Sequence, residues 1–272
     1  MLSDPLMPGA SAGLLVEHIM GMPIQIDLRD DEPGPEICDG AFAWLRWVDE
    51  VFSTYKPDSQ ISRLDRGEIR LADCAPEVDE VLTRCEQLRR ETDGYFDVRP
   101  AGRLDPSGLV KGWAVGEAAQ RLQAAGARNF SVNAGGDVVL RGRPAPGEDW
   151  RVGIQHPLER QSIAAVLGGQ DFAVATSGEY ERGPHVIDPH TGRPPHGLLS
   201  ATVAGPDLAT ADAYATAIFA MGSDGPEWAA GLTGYETLCI TMQHTVLSTP
   251  GLDRYRALVT GVPTAPDPIG ER

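Results

Sequence analysis

The spacing of apolar positions changes character along the chain, from helical periods in the first half to short alternating runs in the second. Ile24, Ile26 and Leu28 alternate with polar residues and predict a strand over residues 23–28. A loop rich in Asp, Pro and Gly follows. Trp44, Val48, Val51 and Phe52 then recur at helical spacing, which predicts an amphipathic helix that ends before a polar loop over residues 53–59. A second helix is expected from Pro76, a favourable first-turn residue, to near Gly94, with Val78, Val81, Leu82, Cys85 and Leu88 inward. A third follows Lys111, with Ala114, Val115, Ala118, Ala119 and Leu122 as its apolar stripe and Gly126 as its stop.

Beyond that point strands are expected at residues 130–133, 138–141, 150–155, 164–167, 172–176 and 200–204. A helix over 211–221 interrupts, and strands at 237–242 and 245–248 complete the pattern. Strands and helices mix without regular βαβ alternation, so the fold class is α+β rather than doubly wound. One domain is expected over residues 1–262, in two closely packed lobes, with a disordered Pro-rich tail over 263–272.

Composition narrows the partners. The chain has 272 residues with 39 acidic against 23 basic side chains, a net charge of −16. Such a surface repels phosphate backbones, so nucleic acid is not an expected partner. A phosphate-bearing ligand would need a local counter-charge, such as a metal ion or a helix N-terminus. Cys38, Cys74, Cys85 and Cys239 show no CxxC spacing and are expected to be buried free thiols. No run approaches the roughly 20 apolar residues that span a bilayer, and the first residues resemble neither a secretory nor a lipoprotein signal. A cytoplasmic protein without membrane contact is the expectation.

Several segments carry candidate chemistry. Asp212 and Thr216 are four apart on an expected helix, so their oxygens share one face and suit a hard cation such as Mg²⁺. Alone, this pair is more often a helix-start Asp and a back-bonded Thr. Thr176-Ser177-Gly178 is a strand end opening into small hydroxyl residues and Gly, where backbone N–H groups can approach a phosphate or heterocycle. His185 precedes the turn DPHTG; its neutral-range pKa suits a base, although a lone His is more often structural. Lys111, flanked by Gly residues, is placed at a helix N-terminus. Asn133 to Asp137 reads as a Gly-Gly hairpin turn. Tyr55 either stacks on a flat ring or is a surface aromatic.

The segments MGMP, FSTYKPDSQISRL, TDGYFDVRP, GLVKGWAV, VNAGGD, ATSGEY, HVIDPHTG and ADAYATAIFAMG occur in an order that resembles the FAD:protein FMN transferase (ApbE-like) family. They extend from residue 20 to residue 222, about three quarters of the chain. The resemblance implies a two-lobed, T-fold-related α+β fold with mixed or antiparallel sheets, binding FAD in a cleft between the lobes. It implies Mg²⁺ held by the side chains matching Asp212 and Thr216 and by a backbone carbonyl just before the Lys-Gly pair, nearest to Val110. It implies FMN transfer from FAD to a Ser or Thr of an acceptor protein with release of AMP, and a place near the reacting phosphate for His185. Met22 and Tyr55 are the expected ring contacts, with Lys111, Thr176, Ser177 and Gly178 also toward the cofactor. The chain departs from the family in a short span between FDVRP and GLVKG, in Gly116 where an acidic residue is usual, and in lacking the lipoprotein signal of periplasmic members. Two other readings stay open: an FAD pyrophosphatase yielding FMN and AMP, and a flavin-binding protein without catalysis.

Overall fold

The computed structural model describes residues 13–99, 102–159, 161–178 and 186–255. The first of these form a hairpin, β1 (Gly13–Ile19) and β2 (Met22–Leu28), with Ile19 paired to Met22. Its two turn residues, Met20 and Gly21, both have positive φ, 55° and 74°, which matches the twist of the flanking strands. β1 escapes the hydrophobic pattern because Leu14 and Val16, at 44% and 48% exposure, point to solvent, and Met20 is not a turn-forming residue type.

Helix α1 (Cys38–Phe52) buries Phe42, Leu45, Val48 and Val51. Helix α2 (Gln60–Asp65) directly follows the polar loop expected over residues 53–59. Ser59 caps it by accepting from the Ser62 N–H at 3.0 Å, and Ile61 is fully buried. Helix α3 (Pro76–Glu91) turns Val78, Val81, Cys85 and Leu88 inward. Helix α4 (Ser107–Ala124) starts four residues before Lys111, so Lys111 lies in its second turn and not at its N-terminus. The start signal is Asp105, whose Oδ1 accepts from the Ser107 N–H at 3.0 Å.

Then come β3 (Phe130–Ala134), β4 (Asp137–Arg141), β5 (Trp150–Gln155), β6 (Ile163–Gly169), β7 (Ala173–Gly178) and β8 (Leu198–Gly205). Helix α5 (Leu208–Met221) and the short α6 (Gly225–Ala229) precede β9 (Glu236–Thr241) and β10 (Val246–Ser248). The eight-stranded sheet runs β1-β2-β3-β4-β7-β8-β9-β10, with each neighbouring pair antiparallel. Gly135 and Gly136, at φ 58° and 96°, close the β3–β4 hairpin as the Gly-Gly turn predicts.

Each face of this sheet has its own apolar cluster. Ile24, Ile26, Val132 and Ala175 point to the helices, where they meet Phe42, Leu109 and Ile218. Val138, Leu140, Val174 and Ile240 point the other way, onto Trp150, Ile154 and Leu167 of the β5–β6 ribbon. The result is an α+β fold of helices, sheet and ribbon in three layers. None of the four cysteines is in a disulfide; Cys38, Cys85 and Cys239 are buried, whereas Cys74 is only half-buried, contrary to the expectation for it.

Candidate functional site

The site grows out of the crossing of α4 and α5. Gly112 lies so close to α5 that a Cβ on it would be 2.6 Å from the Leu208 carbonyl oxygen and 2.8 Å from the Asp212 Cβ. That approach lets the Gly112 N–H donate to Asp212 Oδ2 at 3.0 Å. One residue earlier, the Lys111 ammonium lies 2.7 Å from Asp137 Oδ2 and 3.5 Å from Asp212 Oδ1. Asp137 opens β4 directly after the Gly-Gly turn and accepts from the Thr176 N–H at 3.1 Å. Both carboxylates are almost wholly buried, at 1% and 2% exposure, so one cation faces two acids in a low-dielectric setting. Burial pushes the Asp212 carboxyl well above its ordinary range; Lys111 pulls it back and Asp137 pushes it further up.

One turn along α5, Thr216 Oγ1 is 3.3 Å from Ser177 Oγ at the end of β7. Gly108 faces the same threonine, since a Cβ there would be 3.6 Å from Thr216 Oγ1. These groups form the floor of a cavity of about 120 Å³. Tyr95, Phe96, Asp97 and Asp105 line it from one stretch of the chain, and Val186, Ile187 and Pro189 from another.

Of the residues singled out in the sequence, Lys111, Thr176, Ser177, Gly178, Asp212 and Thr216 all line this cavity. The Thr176 hydroxyl is paired with that of Thr202 at 2.9 Å. Val110 is turned into the core at 5% exposure. Gly108 and Lys111 line the cavity from α4, and the expectation for Val110 concerns its backbone carbonyl, not this side chain. Met22 is buried against Gly135, outside the cavity lining. Tyr55 is 94% exposed on the α1–α2 loop, also outside it. His185 lies outside the described residues, as does the tail over 263–272. Asp137, Tyr95, Phe96, Asp97 and Asp105 are functional candidates that the pattern of residues did not single out. The segments of the first four, VNAGGD and TDGYFDVRP, stand among the family-like motifs, whereas Asp105 lies between two of them, and only folding shows which side chains turn inward.

The donor set bears on what the cavity can hold. Among the described residues no cluster of three or more His, Cys, Asp or Glu could hold a metal ion. The buried Asp212 carboxylate and the hydroxyls of Thr216 and Ser177 suit Mg²⁺, which accepts few protein oxygens and keeps water or phosphate for the rest.

Comparison with known proteins decides the lineage. The model of the ApbE family matches residues 20–102 and 98–239. The chain belongs to the ApbE family. Relatives called FAD:protein FMN transferase include that of Vibrio cholerae, 35% identical over 153 residues, which are 53% of this chain and 46% of the relative. That of Haemophilus influenzae is 34% identical over 136 residues, 46% of this chain and 39% of the relative. That of Rhodobacter capsulatus is 37% identical over 174 residues, 60% of this chain and 33% of the relative. The chain thus spans less than half the length of these curated relatives. Among solved structures, the ApbE protein from Thermotoga maritima superposes with a TM-score of 0.82 at 21% identity, covering 90% of this chain and 99% of its own. The flavin transferase ApbE from Vibrio cholerae gives 0.78 at 23% identity, covering 89% and 98%. The ApbE-family fold is shared throughout.

Proposed function

We propose that this ApbE-family protein transfers FMN from FAD to a Ser or Thr hydroxyl of an acceptor protein and releases AMP. The observation that carries the reading is the convergence, on one cleft floor, of Asp212 and Thr216 from α5, Ser177 from β7 and Lys111 from α4. On a chain of net charge −16 a pyrophosphate needs local positive charge, which Lys111 and a divalent cation held by these oxygen donors would supply. Its relatives' name, FAD:protein FMN transferase, supplies the substrate class.

In this reading Asp212, Thr216 and the Val110 carbonyl would hold Mg²⁺, which when bound supplies positive charge against the phosphate oxygens. Asp137 keeps the Lys111 ammonium aimed at the cleft, where it faces the anionic part of the donor. Asp212 receives a hydrogen bond from Gly112 that holds its carboxylate in one orientation. The attacking hydroxyl must lose a proton, and His185 is our candidate base; its neighbour Val186 lines the cavity. We place the reaction in the cytoplasm, on the strength of four cysteines that form no disulfide. No described helix is long and apolar enough to cross a membrane.

The test is incubation of the protein with FAD and Mg²⁺, with and without a candidate redox-subunit acceptor, followed by in-gel flavin fluorescence and AMP detection. Transfer predicts fluorescence on the acceptor with matching AMP. Free FMN and AMP without labelled acceptor would convert the reading to a pyrophosphatase, and FAD binding without AMP would remove catalysis from it.

A further inference from the structure

The two stretches of chain that line the cavity touch where the His190 ring meets Tyr95. Asp188 builds a turn there with every polar group it has. Its Oδ1 accepts from the His190 N–H at 2.9 Å and its Oδ2 from the Thr191 hydroxyl at 2.8 Å. Its N–H donates to the Arg193 carbonyl, and its own carbonyl accepts from the Gly192 N–H, both at 2.8 Å. A turn held this way has its shape before any ligand arrives. It delivers the His190 ring edge-on to Tyr95, with centroids 4.5 Å apart and planes at 63°.

The seat for that ring is made by Gly94. Its φ of +87° suits glycine, and a Cβ there would already be 3.4 Å from His190 Cε1. Tyr95 lines the cavity, and so do Ile187 and Pro189, just before His190. His190 is itself exposed and outside the lining. The ring pair is therefore a strut between two lining stretches that come from distant parts of the chain.

We propose that His190 is a positioning residue: by bracing Tyr95 it sets the gap of the cleft, and through it the affinity for the flavin dinucleotide donor. This rests on the reading of the cleft as the FAD site. A braced wall has less freedom to lose when a flat ligand enters, so the brace acts on binding. The charged groups on the floor are untouched, so the rate at saturation does not depend on it.

His190→Ala and His190→Phe test this against the parent, by flavin-fluorescence titration, by kcat and KM for FAD, and by Tm. Expected for His190→Ala is roughly five- to tenfold weaker FAD binding, the scale of one lost aromatic contact. Its kcat should stay within about twofold of the parent and its Tm should not move, because the side chain is exposed. His190→Phe, which keeps a ring edge for Tyr95, should restore the affinity. Unchanged FAD affinity in His190→Ala, or a fall in kcat at saturating FAD, overturns the proposal. So does a loss of affinity that tracks a loss of Tm and is not rescued by Phe. A parent that fails to bind FAD fells the functional reading itself, whereas a parent that binds while His190→Ala binds equally well fells only the strut.

Discussion

Asp212 is the residue on which the floor of the cleft turns, since it touches Gly112, faces Lys111 and precedes Thr216 by one helical turn. Its folded-state pKa is raised, by burial first, above the ordinary value of 3.8 that applies to the unfolded chain. The stability tied to holding its proton is therefore full below the ordinary value and is lost as pH climbs through the raised one. With chelator present, the Tm of the parent should fall relative to Asp212→Asn as pH rises from about 5 toward neutrality. A Tm difference that stays constant across that range would mean that Asp212 keeps its charge. The amide in Asp212→Asn still accepts from Gly112, so the fold should survive while FMN transfer drops by roughly a hundredfold or more, measured as AMP release at saturating FAD. The pairing of Asp212 with Thr216 is legible in the sequence because four residues on a helix always share a face. Asp137 is not legible, because nothing in a Gly-Gly-Asp turn says that its acid ends up opposite a lysine of another element.

At the scale of elements, the contact of α4 with α5 places every group on the cleft floor except those of β4 and β7. It depends on one missing side chain. Gly112→Ala would put a Cβ 2.6 Å from the Leu208 oxygen and force the helices apart. Alanine gains about 1 kcal/mol in helix propensity, but overpacking of this kind costs about 1–3 kcal/mol and shifts Asp212. The expected outcome is a lower Tm by thermal unfolding together with lost activity, whereas Gly116→Ala, with open space around its Cβ position, should be neutral or stabilising. Period and capping in the sequence predict α1, α3, α4 and most strands, because each buries one continuous stripe. They fail at α2, whose six residues are too few for a period, and at β1, whose alternation places Leu14 and Val16 outward.

Across the whole molecule, the sheet separates two apolar clusters, and the cleft floor is built on the helical side of it. Trp150 belongs to the other side, where it donates to the Arg141 carbonyl at 3.0 Å and packs under β4 and β7. Trp150→Ala should cost about 3–5 kcal/mol, read as a fall in Tm, while FAD affinity measured well below the new Tm stays that of the parent. A parallel loss of affinity would show that the ribbon layer is coupled to the cleft. The chain's own order of apolar and polar positions determined the α+β class, the helices of the first half and the strand-rich second half, since these depend on periods of a few residues. Its motifs determined the family. Tertiary structure alone decided that Lys111 lies between Asp137 and Asp212, that Gly108 faces Thr216, and that His190 reaches Tyr95. Each of these joins residues tens of positions apart, and their meeting depends on helix rotation and strand register, which pairs near in sequence do not encode.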